Sequence, residues 1–253
     1  MTDPSRLARD DGEFIAYHAL PGAAPCVVFC GGFMSDMTGT KATALEALCR
    51  ARVQAFVRFD YLGHGQSSGR FEDGTIGRWV DDAVAILDHV AAGPLVIVGS
   101  SMGGWVMLRA ALARAPRVVG LIGIAAAPDF THRMVADEFS DDQRATLARD
   151  GRLAITSDYD ERPYVITQEL IDNGNRLCVL NAAIDLACPV RLLHGLRDEA
   201  VPWQTSMRIM ERLVSTDVVV TLVKDGDHRL SEPGDLERLC KSVAEISERH
   251  RAA

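Results

Sequence analysis

Residues 99–103 read Gly-Ser-Ser-Met-Gly and match the pattern G-x-S-x-G. A serine hydroxyl becomes an effective nucleophile only when a neighbouring base accepts its proton. In a nucleophile elbow, that serine occupies a strained turn between a strand and a helix, so the flanking positions must be small. An apolar run at 95–98 precedes the motif, and a helix-forming, alanine-rich stretch follows Gly104. This context favours Ser101 as the nucleophile, with Ser100 pointing elsewhere.

His228 is the candidate base. It lies in the segment Lys-Asp-Gly-Asp-His-Arg-Leu, directly after the last predicted strand and before a C-terminal helical pattern. Loops at the carboxyl ends of strands are where ligands bind to open α/β sheets. His64 and His194 each precede a glycine at the end of a predicted strand, and we interpret both as turn residues.

A carboxylate must hold the base in its correct tautomer and stabilise its protonated form. Asp198 follows the predicted strand at 190–194, so the chain order is Ser101, Asp198, His228. The α/β-hydrolases use the order serine, acid, histidine. Asp129 follows the preceding predicted strand and stays open as an alternative acid.

An oxyanion hole requires backbone N–H groups that point at the developing negative charge. Met102, the residue after the nucleophile, is one expected donor. The other is expected in the loop Gly-Gly-Phe-Met-Ser at 31–35, where two glycines let the backbone approach a substrate. We predict Phe33 as that donor. The side chains of Phe33 and Met34 are candidates for lining an acyl pocket, with a role in the core as the alternative.

Short apolar runs must position these residues. They lie at 14–18, 25–30, 54–59, 95–98, 118–124, 190–194 and 218–223. The central runs are apolar on consecutive residues, which is typical of parallel strands buried on both faces. Segments with helical spacing alternate with them. The sequence therefore predicts an α/β fold, with a mostly parallel central sheet and helices on both faces.

Residues 129–186 break this alternation, since no convincing strand is present there. We expect a small helical cap inserted into an α/β core formed by residues 1–128 and 187–253. Ser140 begins a capping box, with Gly151 near the helix end, and Pro163 is predicted to open a second helix through Ile171. An insertion of this length usually covers a functional site. A packing appendage is the alternative.

Two tyrosines of this insertion, Tyr159 and Tyr164, are candidate substrate-binding residues. A substrate that carries a carboxylate would need a cation near the cap. Three arginines are candidates, with an ordinary surface role as the alternative in each case: Arg133, Arg152 and Arg197.

Composition excludes several classes of protein. The 253 residues carry a formal charge of −8, which argues against nucleic-acid binding and anionic membranes. With 47% hydrophobic residues, the chain is too apolar to be disordered, yet no apolar run approaches the length of a membrane span. The six cysteines lack the spacing of a zinc site and are expected to be buried, reduced thiols. We therefore expect a cytoplasmic protein.

Several segments together resemble the serine α/β-hydrolases over nearly the whole chain. GFMSDMTGTKA, RFDYLGHG, GSSMGGWVML, RLLHGLRD, VPWQTSM and STDV are most similar to acyl-protein thioesterases of the α/β-hydrolase-domain group, which also cleave acyl glucuronides. That resemblance implies a Ser101–Asp198–His228 triad and an oxyanion hole from Phe33 and Met102. It also implies a mitochondrial location. The N-terminal residues show no transit-peptide pattern, and this departure argues against that location.

The expected activity is hydrolysis of a carboxylic ester or thioester through an acyl-enzyme on Ser101, without a metal or organic cofactor. Small-molecule esters and thioesters are the expected substrates, and an S-acylated protein is a candidate. The expected assembly is a monomer or a small homo-oligomer. Three alternatives remain open, since each is compatible with the same residues: a cofactor-free haloperoxidase, a C–C bond hydrolase and a ligand-binding module with little turnover.

Overall fold

The computed structural model describes residues 3–155 and 163–252. An eight-stranded sheet lies at its centre, in the order β1-β2-β4-β3-β5-β6-β9-β10. The strands of this sheet are β1 (Ser5–Ala8), β2 (Phe14–Leu20), β3 (Ala23–Cys30), β4 (Gln54–Phe59), β5 (Leu95–Ser100), β6 (Val118–Ile124), β9 (Val190–Gly195) and β10 (Val218–Val223). β1 and β2 are antiparallel to their neighbours, and every pair from β4 to β10 is parallel. The predicted fold class is confirmed.

Helices cover both faces of this sheet. The α-helices are α1 (Thr40–Ala51), α2 (Ile76–His89), α3 (Met102–Ala113), α4 (Phe130–Arg133), α5 (Asp141–Asp150), α6 (Gln168–Arg176), α7 (Gln204–Arg212) and α8 (Pro233–Ala252). Val28 of β3 packs in one apolar cluster with α2 and α3, whereas Val27 packs in a second cluster with α1 and α8. Consecutive apolar residues therefore serve opposite faces, as the unbroken apolar runs predicted.

All seven predicted strands are present, three of them with the predicted bounds. The sequence pattern missed β1, because this edge strand has only four residues and is mostly exposed. Arg6 of β1 lies over the ring of Phe14 in β2, with 4.4 Å between the guanidinium carbon and the ring centroid. Short polar edge strands carry little hydrophobic periodicity, so they are hard to recognise in sequence.

The insertion between β6 and β9 is only partly helical, so the prediction of a purely helical segment is wrong. A π-helical turn (Met134–Glu138) continues α4, and strands β7 (Arg152–Ile155) and β8 (Tyr164–Thr167) form a two-stranded antiparallel sheet. The predicted capping box at Ser140 is confirmed, and Gly151 ends α5 in a left-handed conformation with φ 70°. Both strands are only four residues long, which gives their alternation too few residues to be recognised.

The helix predicted from Pro163 begins later, at Gln168. Residues 164–167 read Tyr-Val-Ile-Thr, and their aromatic and β-branched side chains favour the strand β8. The hydroxyl of Thr167 then accepts a hydrogen bond from the Leu170 N–H at 3.1 Å and caps the first turn of α6. The helix begins where this cap becomes available.

Candidate active site

The turn at Ser101 joins the buried strand β5 to the helix α3, as the motif predicted. Ser101 has φ 54° and ψ −122°, a strained conformation for a residue with a side chain. A Cβ on Gly99 would lie 2.3 Å from the carbonyl oxygen of Gly103, and a Cβ on Gly103 would lie 2.2 Å from that of Cys30. Both positions therefore require glycine because backbone atoms of neighbouring segments occupy the space.

The structure brings together the three residues that sequence reasoning selected from distant segments. The Ser101 hydroxyl lies 3.1 Å from Nε2 of His228, and Nδ1 of His228 lies 2.8 Å from Oδ2 of Asp198. Asp198 follows β9 and His228 follows β10, so both side chains meet Ser101 at the carboxyl edge of the sheet. His228 can accept the serine proton through Nε2 while its Nδ1–H donates to the carboxylate.

The side chain of Asp198 is fully buried, and its carboxylate accepts several hydrogen bonds from the protein. Its Oδ1 accepts the N–H groups of Ala200 and Val201 at 2.9 and 2.7 Å. Burial by itself raises the pKa of this carboxyl, but hydrogen bonds from His194 and His228 outweigh burial and hold the pKa well below its usual range. Asp198 therefore stays ionised at any working pH and can stabilise the imidazolium of His228.

The alternative acid, Asp129, forms its hydrogen bonds within the insertion. Its two carboxylate oxygens accept the N–H groups of Val179 and Leu180 at 2.8 and 2.9 Å. Asp129 adopts a left-handed conformation with φ 60° at the start of α4. Its carboxylate thus ties the chain beyond α6 to the first residue of the insertion.

The loop predicted to carry the second oxyanion donor lies directly beside the nucleophile. A Cβ on Gly32 would lie 3.5 Å from the Cβ of Ser101, and Phe33 is the next residue. Met102 is buried at the first position of α3. Two predicted donors, Phe33 and Met102, therefore flank Ser101, and their role toward a substrate oxygen stays a prediction.

Side chains that follow β4 anchor this loop, a role that the sequence pattern did not indicate. Nε2 of His64 accepts the Met34 N–H at 3.3 Å, and just after the loop Asp60 accepts the Met37 N–H at 2.7 Å. Burial lowers the pKa of His64 to about 4, so its ring is neutral and can accept at Nε2 while Nδ1 donates to the carbonyl of Leu62. The histidine that we interpreted as a turn residue therefore contacts the candidate oxyanion loop.

Aromatic rings surround the side chain of Phe33, and we call them the Phe33 cluster. They all meet Phe33 edge-on, with centroid distances of 4.8 Å to Phe71, 5.9 Å to Trp79, 5.8 Å to Phe130 and 5.6 Å to Tyr164. Phe130 and Tyr164 belong to the insertion. The predicted substrate-binding residues Phe33 and Tyr164 thus lie in contact, in an apolar region that joins the insertion to the candidate oxyanion loop.

The other predicted binding residues have different surroundings. Met34 is 44% exposed, and Tyr159 lies outside the described residues. Arg133 pairs with Glu138 and donates to a backbone carbonyl, and Arg197 pairs with Asp225. Arg152 lies exposed on β7. In the part of the chain that the structure describes, no group of three or more His, Cys, Asp or Glu side chains is arranged to hold a metal ion.

Comparison with known proteins identifies the family of this chain. Residues 27–239 match the model of the alpha/beta hydrolase family. The chain belongs to this family. It is 41% identical to the mouse protein named palmitoyl-protein thioesterase ABHD10, mitochondrial, over 96% of this chain and 82% of the relative. The protein is accordingly a hydrolase of the esterase or thioesterase type.

Solved structures agree with the fold. The structure of mouse alpha/beta hydrolase domain-containing protein 10 superimposes with a TM-score of 0.91 at 40% identity, covering 98% of this chain and 99% of the mouse chain. A putative hydrolase from Agrobacterium vitis S4 gives a TM-score of 0.92 at 39% identity, covering 98% of both chains. Both resemblances include the insertion as well as the core.

The expectation of a cytoplasmic protein is wrong by the same comparison, because the bovine, mouse and human relatives are all named mitochondrial. All six cysteines are free, as expected, although three are only partly buried. Within residues 3–155 and 163–252, no helix is long and apolar enough to cross a membrane.

Proposed function

We propose that the protein is an acyl thioesterase that releases a long-chain fatty acyl group from an S-acylated protein through an acyl-enzyme on Ser101. The observation that carries this proposal is the continuous hydrogen-bonded chain from Ser101 through His228 to Asp198. The name of the mouse relative, a palmitoyl-protein thioesterase, supports the choice of acyl group and leaving group.

The proposed reaction forms an acyl-enzyme on Ser101 and then hydrolyses it. His228 Nε2 takes the proton of Ser101 as its Oγ attacks the thioester carbonyl. The backbone N–H groups of Phe33 and Met102 stabilise the oxyanion. The protonated His228 then gives its proton to the departing thiolate, and Asp198 stabilises the imidazolium in the interval. Water, activated by the same histidine, attacks the acyl-enzyme and releases the fatty acid.

The Phe33 cluster is the proposed first part of the acyl pocket. Its rings come from the candidate oxyanion loop, from the turn that holds Phe71, from Trp79 of α2 and from the insertion, so the pocket wall would be shared between core and cap. Phe33, Phe71 and Tyr164 are only partly buried and offer apolar ring surface to an alkyl chain, whereas Trp79 and Phe130 are buried behind them. We propose residues 129–186 as the cap that sets the acyl length, with Tyr164 as its contact to Phe33.

The test is hydrolysis of an S-palmitoyl peptide, compared with the S-acetyl form and with the matched oxygen ester. We expect release of palmitate by the wild-type chain and loss of about 10⁴-fold or more in kcat for Ser101→Ala. Ser100→Ala is the matched control, because Ser100 is buried at the end of β5 beside the nucleophile. Equal loss in both variants, or turnover of the acetyl form alone, would contradict the proposal.

A further inference from the structure

A second histidine contacts the carboxylate of Asp198. His194, near the end of β9, is completely buried. Its Nε2 lies 3.2 Å from Oδ2 of Asp198 and 2.9 Å from the carbonyl oxygen of Val201. Its Nδ1 lies 2.7 Å from the hydroxyl of Ser206, which is also buried, on α7. The ring is thus bonded at both nitrogens, and one of its partners is the candidate catalytic acid.

The surroundings determine where the proton of His194 lies. A carbonyl oxygen and an ionised carboxylate can only accept, so Nε2 must carry a hydrogen that both share. In the neutral ring, Nδ1 is then an acceptor, and the hydroxyl of Ser206 donates to it. Ser206 thereby stabilises the tautomer in which the N–H of His194 faces Asp198.

Asp198 therefore belongs to two serine–histidine pairs. Its Oδ2 meets Nδ1 of His228 at 2.8 Å and Nε2 of His194 at 3.2 Å, while backbone N–H groups hold its Oδ1. We propose that Ser206 and His194 are positioning residues that keep Oδ2 of Asp198 directed at His228. The buried hydroxyl of Ser206 cannot reach a substrate, so this second pair acts only through the acid. The proposal rests on the catalytic roles assigned above.

Two substitutions of His194 separate positioning from packing. His194→Leu fills much of the volume without any donor, whereas His194→Gln keeps an N–H group at nearly the same distance from the backbone. Because a hydrogen bond to a charged group is lost, we expect His194→Leu to lower kcat for the S-palmitoyl peptide about 10- to 100-fold. We expect KM to change by no more than about threefold, and His194→Gln to recover most of kcat, since the acid is held without touching substrate.

Ser206→Ala is the milder test, because it removes only the hydroxyl that selects the tautomer. We expect kcat to fall about three- to tenfold, as loss of one neutral hydrogen bond implies. Ser247→Ala is its matched control. Ser247 is equally buried, but its hydroxyl accepts from Gln54 at 2.9 Å, away from the site. We expect this control to lose stability and keep kcat.

Proton NMR can report directly on the hydrogen bond between His228 and Asp198, which a purely structural role of His194 and Ser206 would leave unchanged. We expect the proton between His228 Nδ1 and Asp198 to give a low-field resonance in proton NMR, and we expect that resonance to broaden in His194→Leu and Ser206→Ala. Unchanged kcat and an unchanged resonance in these variants would overturn the proposal, as would a His194→Gln variant no better than His194→Leu. If His194→Leu does not fold, Ser206→Ala decides. Full turnover by Ser101→Ala would instead refute the proposed function itself.

Discussion

Gly103 is the position where a single methyl group should disturb both the nucleophile and the oxyanion loop. It follows Met102 at the start of α3, and a Cβ there would lie 2.2 Å from the carbonyl oxygen of Cys30 and 2.4 Å from that of Gly31. These two carbonyls belong to the end of β3 and to the first residue of the loop that carries Phe33. Gly103→Ala therefore pushes the helix bearing Met102 away from that loop.

The size of the effect follows from these distances. Ordinary contact begins at 3.4 Å, so the backbone must move by 3.4 − 2.2, or 1.2 Å, at Cys30 and by 3.4 − 2.4, or 1.0 Å, at Gly31. A misplacement of about 1 Å costs about 100-fold in rate. Overpacking of a close-packed interior costs about 1–3 kcal/mol. We expect Gly103→Ala to remain folded, with kcat for the S-palmitoyl peptide reduced about 100-fold.

The assay is steady-state hydrolysis together with urea unfolding. Gly93→Ala is the matched control, because Gly93 has φ +68° and a Cβ there would meet nothing within 4 Å. Backbone strain should reduce the stability of this control by about 1 kcal/mol without changing kcat. A Gly103→Ala variant with wild-type kcat would refute the argument that this glycine holds the oxyanion donors in register.

Three further predictions concern named side chains. Asp129→Ala should lower the free energy of unfolding by about 2 kcal/mol, because the N–H groups of Val179 and Leu180 lose their acceptor. Its kcat should stay within about threefold of the wild-type value. A loss of activity as large as that of Asp198→Asn would instead indicate that Asp129 is the catalytic acid. Asp198→Asn should lower kcat about 10⁴-fold, as a misoriented base does. The pKa of the Asp198 carboxyl in the folded chain lies below the unfolded value of 3.8, so its stabilising contribution is complete above pH 3.8 and is lost as the pH falls further. Measured by urea unfolding between pH 5 and pH 2.5, the free energy of unfolding should therefore fall less steeply for Asp198→Asn than for the wild-type chain. His64 has a pKa lowered from 6.5 to about 4, so the unfolded chain binds a proton in that interval that the folded chain does not. The free energy of unfolding should therefore fall by about 3 kcal/mol as the pH falls from 6.5 to 4. If the free energy of unfolding of a His64→Gln variant falls by the same amount over this range, His64 is not the group responsible.

The sequence predicted the strands that place the site because their apolar residues are consecutive. β4, β6 and β10 have the predicted bounds, and the turn at Ser101 follows β5 as the G-x-S-x-G pattern requires. Asp198 and His228 could be selected because each follows a recognisable strand. In a mostly parallel sheet, such positions meet at one edge.

The environment of the site could not be predicted in the same way. His64 and His194 were assigned to turns, yet each also bonds to a group at the candidate active site. His64 contacts Met34, which lies thirty residues away along the chain, and the ring of His194 is held by Ser206 of α7, so neither environment is contained in a local pattern. The strands β7 and β8 were missed because four residues are too few to show an alternation.

The central claim is that Ser101 is a nucleophile activated by His228. It is tested most directly by labelling the folded chain with a fluorophosphonate and locating the adduct by peptide mass spectrometry. We expect the adduct on Ser101 in the wild-type chain and no adduct in His228→Ala. An adduct on another residue, or a folded wild-type chain that is not labelled at Ser101, would contradict the account.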